Sequence, residues 1–345
     1  MDSVLPSIAK QVKAFCALIG TDPLLVQGAG GNVSWKDGNL LWIKASGMWL
    51  ADAEVKEIFV PVNLKILNTE ILRNNFSVVP LVETKSELKP SIETLLHALM
   101  SHRVVVHLHA VEVLAHLVQT DAEQKIAKLF EDSCKWIFVD YFKPGADLAK
   151  EVFDQLKNKP ESDIVFLRNH GIVVGGQDVD EVLAKINLLT SIASIDVTKV
   201  TSEEMPIRRE SDFLALGYIP HKDYSIYALI NENLFLDSTR NEWALYPDHV
   251  VFLGSKATIL EKNFTSDDLI EAASHQPPFI FAVDEGVYEQ INVKATQLSQ
   301  LRCYYDVMSR QTGSDNLSVL SAQQINELLD WDAEKYRQNI PIIKK

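Results

Sequence analysis

Apolar residues among the first twenty positions, MDSVLPSIAKQVKAFCALIG, fall between scattered charges in the manner of an amphipathic helix. Two short β-type runs follow, around Val33–Lys36 and Leu40–Lys44, flanking Asp37-Gly38, a dipeptide suited to a tight hairpin turn. Beyond a stretch of helix or loop, KPSIETLLHALMSH predicts a helix with Pro90 near its start and apolar residues at Ile92, Leu95, Leu96 and Leu99. RVVVHLH is β-branched and predicts a strand, and AVEVLAHLVQ opens a helix directly after it. CKWIFVDY predicts another strand, ADLAKEVFDQLKN a helix, and DIVFLRNHGIVVGG two strands around the turn Asn169-His170-Gly171. DVDEVLAKINLLTSIASIDVTKV predicts one long helix. Helices alternating with short strands imply an α/β layered domain that ends near residue 205.

The segment SEEMPIRRESDF, with Pro206 and mixed charge, is the candidate linker. After it the pattern restarts in HVVFLGS, DDLIEAASH, PPFIFAVDEGVYEQI and a helix from about Ala295 to Arg310. A last helix, SAQQINELLDWDAEKYRQ, opens on a Ser321 cap. The expected division is a domain over 1–205 and a smaller C-terminal α+β region over 206–345, with no role for the latter written in the sequence. DIVFLRNHGIVVGGQDVDEVLAKI and PFIFAVDEGVYEQINVKATQLSQL share the order strand, polar pair, glycine, strand, helix. One echo does not establish a repeat. If the C-terminal region is a degenerate partial copy, Glu285 stands in register with His170 and the copy lacks the metal-capable residue.

Composition narrows the function. The chain has 345 residues and a net charge of -14, which disfavours nucleic acid as a partner because phosphate binding needs a basic surface. No basic run suited to an anionic membrane and no apolar run long enough to span a bilayer is present. Cys16, Cys134 and Cys303 are odd in number and widely spaced, so they form neither a disulfide framework nor a metal clip, as expected in a reducing cytoplasm. No GxGxxG follows a strand after residue 205, so no nicotinamide cofactor is expected there.

The stretch VVVHLHAVEVLAH places three histidines in an apolar setting. On a strand, His107 and His109 point to one face, a geometry open to two ligands of one ion or to two hydrogen-bonded core residues. A tight site needs a third ligand, and His170, beside a glycine in a turn between apolar strands, is the best remaining candidate. His116, within a helix, reads as packing. Glu93 lies at the start of the preceding helix with His97 four residues on, so the two share a helical face. Beside a metal, Glu93 would serve as ligand, general base or both.

QGAGGNVSWKDGNLLWIKASG, KPSIETLLHALM, VVVHLHAVEVLAH, FKPGADLAKEV and FLRNHGIVVGG, in that order, resemble the class II aldolase/adducin family over roughly residues 10 to 200. The best known enzymes of that family split fuculose 1-phosphate and rhamnulose 1-phosphate. The resemblance implies α-β-α layers with a central, mostly antiparallel sheet, assembled as a homotetramer. It implies Zn2+ or another divalent ion on His107, His109 and His170, with Glu93 as the acid/base carboxylate. It nominates Gly31 and Asn32, the pair Ser46 and Gly47, and Ser91 for substrate phosphate. Tyr141, in FVDYFKPG, is the nominated acid for the departing aldehyde.

Three departures from the family pattern stand out. Ile92 replaces a second serine before the glutamate, the connection from the Glu93 helix to the histidine strand is short, and the IKASG loop brings in Lys44. Lys44 would offset the lost hydroxyl by contacting an anion, or would be a solvated strand-end lysine. The implied activity is reversible aldol cleavage of a small ketose, a ketose 1-phosphate above all, through a metal-stabilised enediolate. A sugar-phosphate 4-epimerase or sugar-acid decarboxylase on the same scaffold is the second reading, and a non-catalytic adducin-like binding protein the third.

Overall fold

The computed structural model describes residues 7–197 and 209–332, apart from residues 86, 132, 232 and 313–315. The chain divides into two units: one runs to Ser194 and takes in the chain end from Asp330, the other runs from Ile195 to Leu329.

The first unit is built on β1 (Asn32–Asp37), β2 (Leu40–Lys44), β3 (Phe59–Asn63), β4 (Val104–Leu108), β5 (Trp136–Val139), β6 (Ile164–Leu167) and β7 (Gly171–Gly176). They form one sheet in the order β3-β2-β1-β4-β7-β6-β5. Only β5 and β6 pair in parallel; every other neighbour is antiparallel. The helices are α1 (Ile8–Ile19), α2 (Leu64–Leu72), α3 (Thr94–Leu99), α4 (Val111–Leu117), α5 (Ala122–Phe130), α6 (Ala146–Asn158) and α7 (Val179–Ala193). Leu96 and Met100 from α3 and its end pack with Leu148 and Val152 of α6 against Val105, Val165 and Val173 on one face of the sheet. Helices α1, α4, α5 and α7 make the layer on the other face. Central strands β4 and β7 are buried throughout, as a sheet covered on both faces requires.

The structure is an α/β sandwich with a mostly antiparallel sheet, and several local expectations shift. The first hairpin turns one residue later than the Asp37-Gly38 signal suggests, because Asp37 pairs with Leu40 and leaves Gly38-Asn39 at the corners. Helix α3 is short: Pro90 is held extended in a bridge with Ala45, and Glu93 becomes the residue before the first helical turn. Helix α7 stops at Ala193, and residues 198–200 of its expected run lie outside the described residues. Helix α5 follows α4 without having been read from the pattern. His116 packs as expected, its Nε2 2.9 Å from the carbonyl of Ala193 in α7.

The second unit carries α8 (Glu210–Ala215), β8 (Tyr218–Pro220), α9 (Ala228–Asn231), α10 (Asn233–Asn241), α11 (Pro247–Leu253), β9 (Thr258–Leu260), α12 (Ser266–Ser274), β10 (Phe279–Ala282), β11 (Gly286–Gln290), α13 (Ala295–Met308) and α14 (Ala322–Leu329). Its sheet has the order β8-β11-β10-β9. Of the candidate linker, residues 202–208 lie outside the described residues, and the remainder enters α8. The last helix is broken after Leu329, Asp332 is again helical, and residues 333–338 of its expected run lie outside the described residues. Trp331 belongs with the first unit, where Lys143 Nζ stands 4.5 Å from its ring centroid.

His249 of α11 is fully buried among the rings of Trp243, Tyr246 and Tyr304, with both nitrogens lacking a hydrogen-bond partner. Burial pushes its pKa down to about 3. The unfolded chain takes up this proton near pH 6.5 and the folded chain does not, so stability is complete above pH 6.5 and falls as pH drops. The slope from this residue approaches roughly 1.4 kcal/mol per pH unit. Urea unfolding of wild type and His249→Leu between pH 7 and pH 4.5 should show a shallower loss in the variant; equal slopes would contradict this role.

Candidate active site

Strand pairing assembles the histidines. Asn32 of β1 stands opposite His107 of β4, and Leu108 stands opposite Ile172 of β7. The second pairing draws the β6–β7 turn onto the end of β4, so His170 reaches His107 and His109 from far along the chain. Gly171 is required there: with φ of +156°, a Cβ at this position would meet the Leu108 carbonyl oxygen at 2.2 Å. The ring centroids of His107 lie 5.0 Å from His109 and 4.7 Å from His170, and those of His109 and His170 are 5.4 Å apart. One nitrogen from each ring lies within 4.8 Å of the other two, and all three residues are buried.

Their hydrogen bonding prepares them for a cation. His107 Nδ1 sits 2.9 Å from the Ile172 carbonyl, which only accepts, so this nitrogen carries the ring proton. The lone pair is then on Nε2, facing the cluster, 3.2 Å from Nε2 of His109. A backbone carbonyl behind a metal-binding imidazole fixes its tautomer in this way. Glu93 Oε1 completes the site at 3.6 Å from His107 Nε2 and 3.5 Å from His170 Nε2, buried and without a hydrogen bond. Three convergent imidazoles beside an unsatisfied carboxylate oxygen fit a divalent ion such as zinc. Among the described residues this is the one cluster of three such donors.

One face of β1 fixes the carboxylate. Asn32, Ser34 and Lys36 alternate on the strand and each meets the Glu93 segment. Asn32 Nδ2 donates to Glu93 Oε2 at 2.7 Å, Ser34 Oγ and His97 Nδ1 share a hydrogen bond of 2.8 Å, and Lys36 Nζ donates to the Met100 carbonyl. Two strand residues advance about 6.8 Å and four helical residues about 6 Å, so the spacings match. Ser91 Oγ adds a bond from the Glu93 amide at 3.2 Å. Burial, with His107, Lys36 and Lys44 nearby, holds the His97 pKa well below the usual histidine range, against a smaller opposing contribution from the Val105 backbone. His97 is therefore a neutral strut. Ser34 and Lys36 escaped the sequence reading; the signal was their period of two on the strand facing the Glu93/His97 pair. Ser34→Ala leaves a buried imidazole nitrogen without its partner and is expected to cost about 1–3 kcal/mol, read by urea unfolding.

The nominated anion ligands gather at the neighbouring loops. The Ala45–Pro90 bridge, with Ser46 N bonded to Lys89 O at 2.9 Å and Ser91 N to Lys44 O at 3.2 Å, draws Lys44, Ser46, Gly47 and Ser91 together. Lys44 is buried, not solvated: Nζ donates to the carbonyls of Ala29 at 2.9 Å and Met48 at 2.7 Å, tying the glycine-rich loop to the Ser46 loop. Gly31, at φ of +64°, lets the backbone pass where a Cβ would stand 2.9 Å from the His107 carbonyl. The amide of Gly30 donates to Gln27 O at 3.0 Å, so it is held within the glycine-rich loop. Asn32 points to Glu93 in this state. Tyr141 lies half-buried just after β5.

Residues 10–197 match the Class II Aldolase and Adducin N-terminal domain. The L-fuculose phosphate aldolase of Methanococcus maripaludis is 29% identical over 189 residues, covering 51% of this chain and 88% of that protein. The uncharacterized oxidoreductase YuxG of Bacillus subtilis is 26% identical over 189 residues, and the match takes in 50% of this chain but only 27% of that protein's length. Among solved structures, the N-terminal class II aldolase domain of a conserved protein from Thermoplasma acidophilum shares 26% identity, covers 56% of this chain and 94% of that one, and has a TM-score of 0.47. Among the described residues no helix is long and apolar enough to cross a membrane. With the domain match spanning more than half of its residues, the chain belongs to the class II aldolase and adducin family.

Proposed function

We propose that this protein is a zinc-dependent aldolase that reversibly cleaves a small ketose, with a ketose 1-phosphate as the preferred substrate. The observation that carries the reading is Glu93 Oε1, buried and unbonded, 3.5 Å and 3.6 Å from the facing nitrogens of His170 and His107. The sugar-phosphate aldolases among its relatives support the substrate class. A divalent ion on His107, His109 and His170 would supply positive charge against the oxyanion that develops as the carbon–carbon bond breaks.

The protein's own groups do the rest. Asn32 occupies Oε2 of Glu93, which fixes the carboxylate plane and leaves Oε1 to hold or return a proton at carbon. The buried histidine face of the sheet excludes water from the ion pair that forms. Gly31, Ser46, Gly47 and Ser91 bind the phosphate, and Lys44 braces their two loops while adding positive charge beneath them. Tyr141 takes the proton from the hydroxyl that becomes the aldehyde oxygen during cleavage and returns it to that oxygen in condensation. The enzyme works as a homo-oligomer, which light scattering would read.

The test is product analysis by NMR on a panel of ketose 1-phosphates and unphosphorylated sugars, with and without a chelator. Expected products are an aldehyde and dihydroxyacetone phosphate, lost on chelation and restored by zinc. Chelation should also lower the thermal midpoint, since an ion bound at a hundred times its Kd stabilises by about 2.7 kcal/mol. A product inverted at C4 with no fragments would favour the epimerase. An unchanged midpoint and no turnover would favour a non-catalytic protein.

A further inference from the structure

The second unit repeats one half of the first. In β4-β7-β6-β5 the successive pairs are antiparallel, antiparallel and parallel, and in β8-β11-β10-β9 they are the same. A six-residue helix precedes β4 and β8, a helix joins the parallel strands, and a long helix follows β7 and β11. The register agrees residue by residue. Leu167 pairs with Gly171 across a three-residue turn, and Ala282 pairs with Gly286 across another. Each turn has a left-handed middle residue, Asn169 at φ of +53° and Asp284 at +62°, and each ends on a glycine with positive φ, +156° and +139°. Left-handed backbone at a non-glycine residue is uncommon, so its recurrence at the same turn position is informative.

The cores correspond as well. Val165, Val173 and Val139 belong to one cluster in the first unit. Ile280, Tyr288 and Leu260 hold the same ladder positions in the second and likewise cluster. Residues on one sheet face sharing one core in both copies show that the match is of packing and not of topology alone.

We propose that Glu210–Met308 is a second copy of the α3–α7 half of the catalytic unit whose metal site has been dismantled in place. Pairing of Pro220 with Tyr288 puts Pro220 at the position of His107, which pairs with Val173. Lys222 then takes the position of His109, and Glu285, the last residue of the matching turn, that of His170. Proline offers no ligand and lysine a cation, so no three-donor set survives. Glu285 Oε2 remains buried without a hydrogen bond, a polar group left where the third ligand stood. The strand scaffold is present twice and the histidine triad once. The region beyond the matched family domain thus descends from the same fold and carries no second histidine triad at the matching positions.

The test restores the ligands in the full chain: Pro220→His, Lys222→His and Glu285→His together, with and without His107→Ala. Co2+ uptake is read by equilibrium dialysis and by the cobalt absorption spectrum. Expected are one ion for wild type, two for the triple variant, and one for the triple variant carrying His107→Ala. The double variant Lys222→His/Glu285→His leaves Pro220 in place and is expected to bind Co2+ more weakly at the same location. If neither variant, with wild-type circular dichroism, takes up more Co2+ than its parent, the proposal is overturned. If wild type binds none while the triple variant binds one, the first-site reading fails and this one stands.

Discussion

Replacing His107 by alanine is expected to abolish metal binding and turnover together. His107 is the hinge of the cluster: its Nε2 is 3.2 Å from His109 Nε2 and 3.6 Å from Glu93 Oε1, while its Nδ1 is anchored on Ile172 O. Loss of even an outer partner of a metal ligand costs roughly 10–100-fold in affinity, so loss of this ligand should cost at least about 10²-fold. Zinc content by elemental analysis and activity on the same sample check this. Retained zinc with lost activity would mean that His107 touches substrate instead.

Replacing Glu93 by glutamine is expected to separate the two. Glutamine keeps the shape, and its amide oxygen can still accept from Asn32 Nδ2, so the helix and the histidines should stay in place. It cannot hold the proton. The expected result is a fall of about 10²–10⁴-fold in kcat with zinc content unchanged, the usual scale for a general acid/base. A variant with near wild-type kcat would remove Glu93 from the chemistry. One that loses zinc would make Glu93 chiefly a ligand.

Much of the site was legible in the sequence because its parts obey simple periods. His107 and His109 share a strand face by alternation, and Glu93 and His97 share a helical face by their spacing of four. The strands and most helices of the first unit follow from the same patterns. What the sequence did not disclose are relations between distant segments. Nothing in IKASG says that Lys44 is buried between two carbonyls, or in GGNVSWK that Asn32, Ser34 and Lys36 clamp one short helix. Helix α3 falls short of its apolar pattern because Pro90 is held in the bridge with Ala45 and the chain turns through Ile92 and Glu93 before the first helical residue. The echo between the two halves rested on one motif until strand order, register and φ angles supplied independent matches.

The proposed chemistry depends on a metal ion held by His107, His109 and His170 beside Glu93. Crystals grown with zinc and measured on both sides of the zinc absorption edge test it most directly. One strong anomalous peak is expected between the three imidazoles, within coordination distance of Nε2 of His107. Well-ordered density for the three rings with no anomalous peak among them would contradict it.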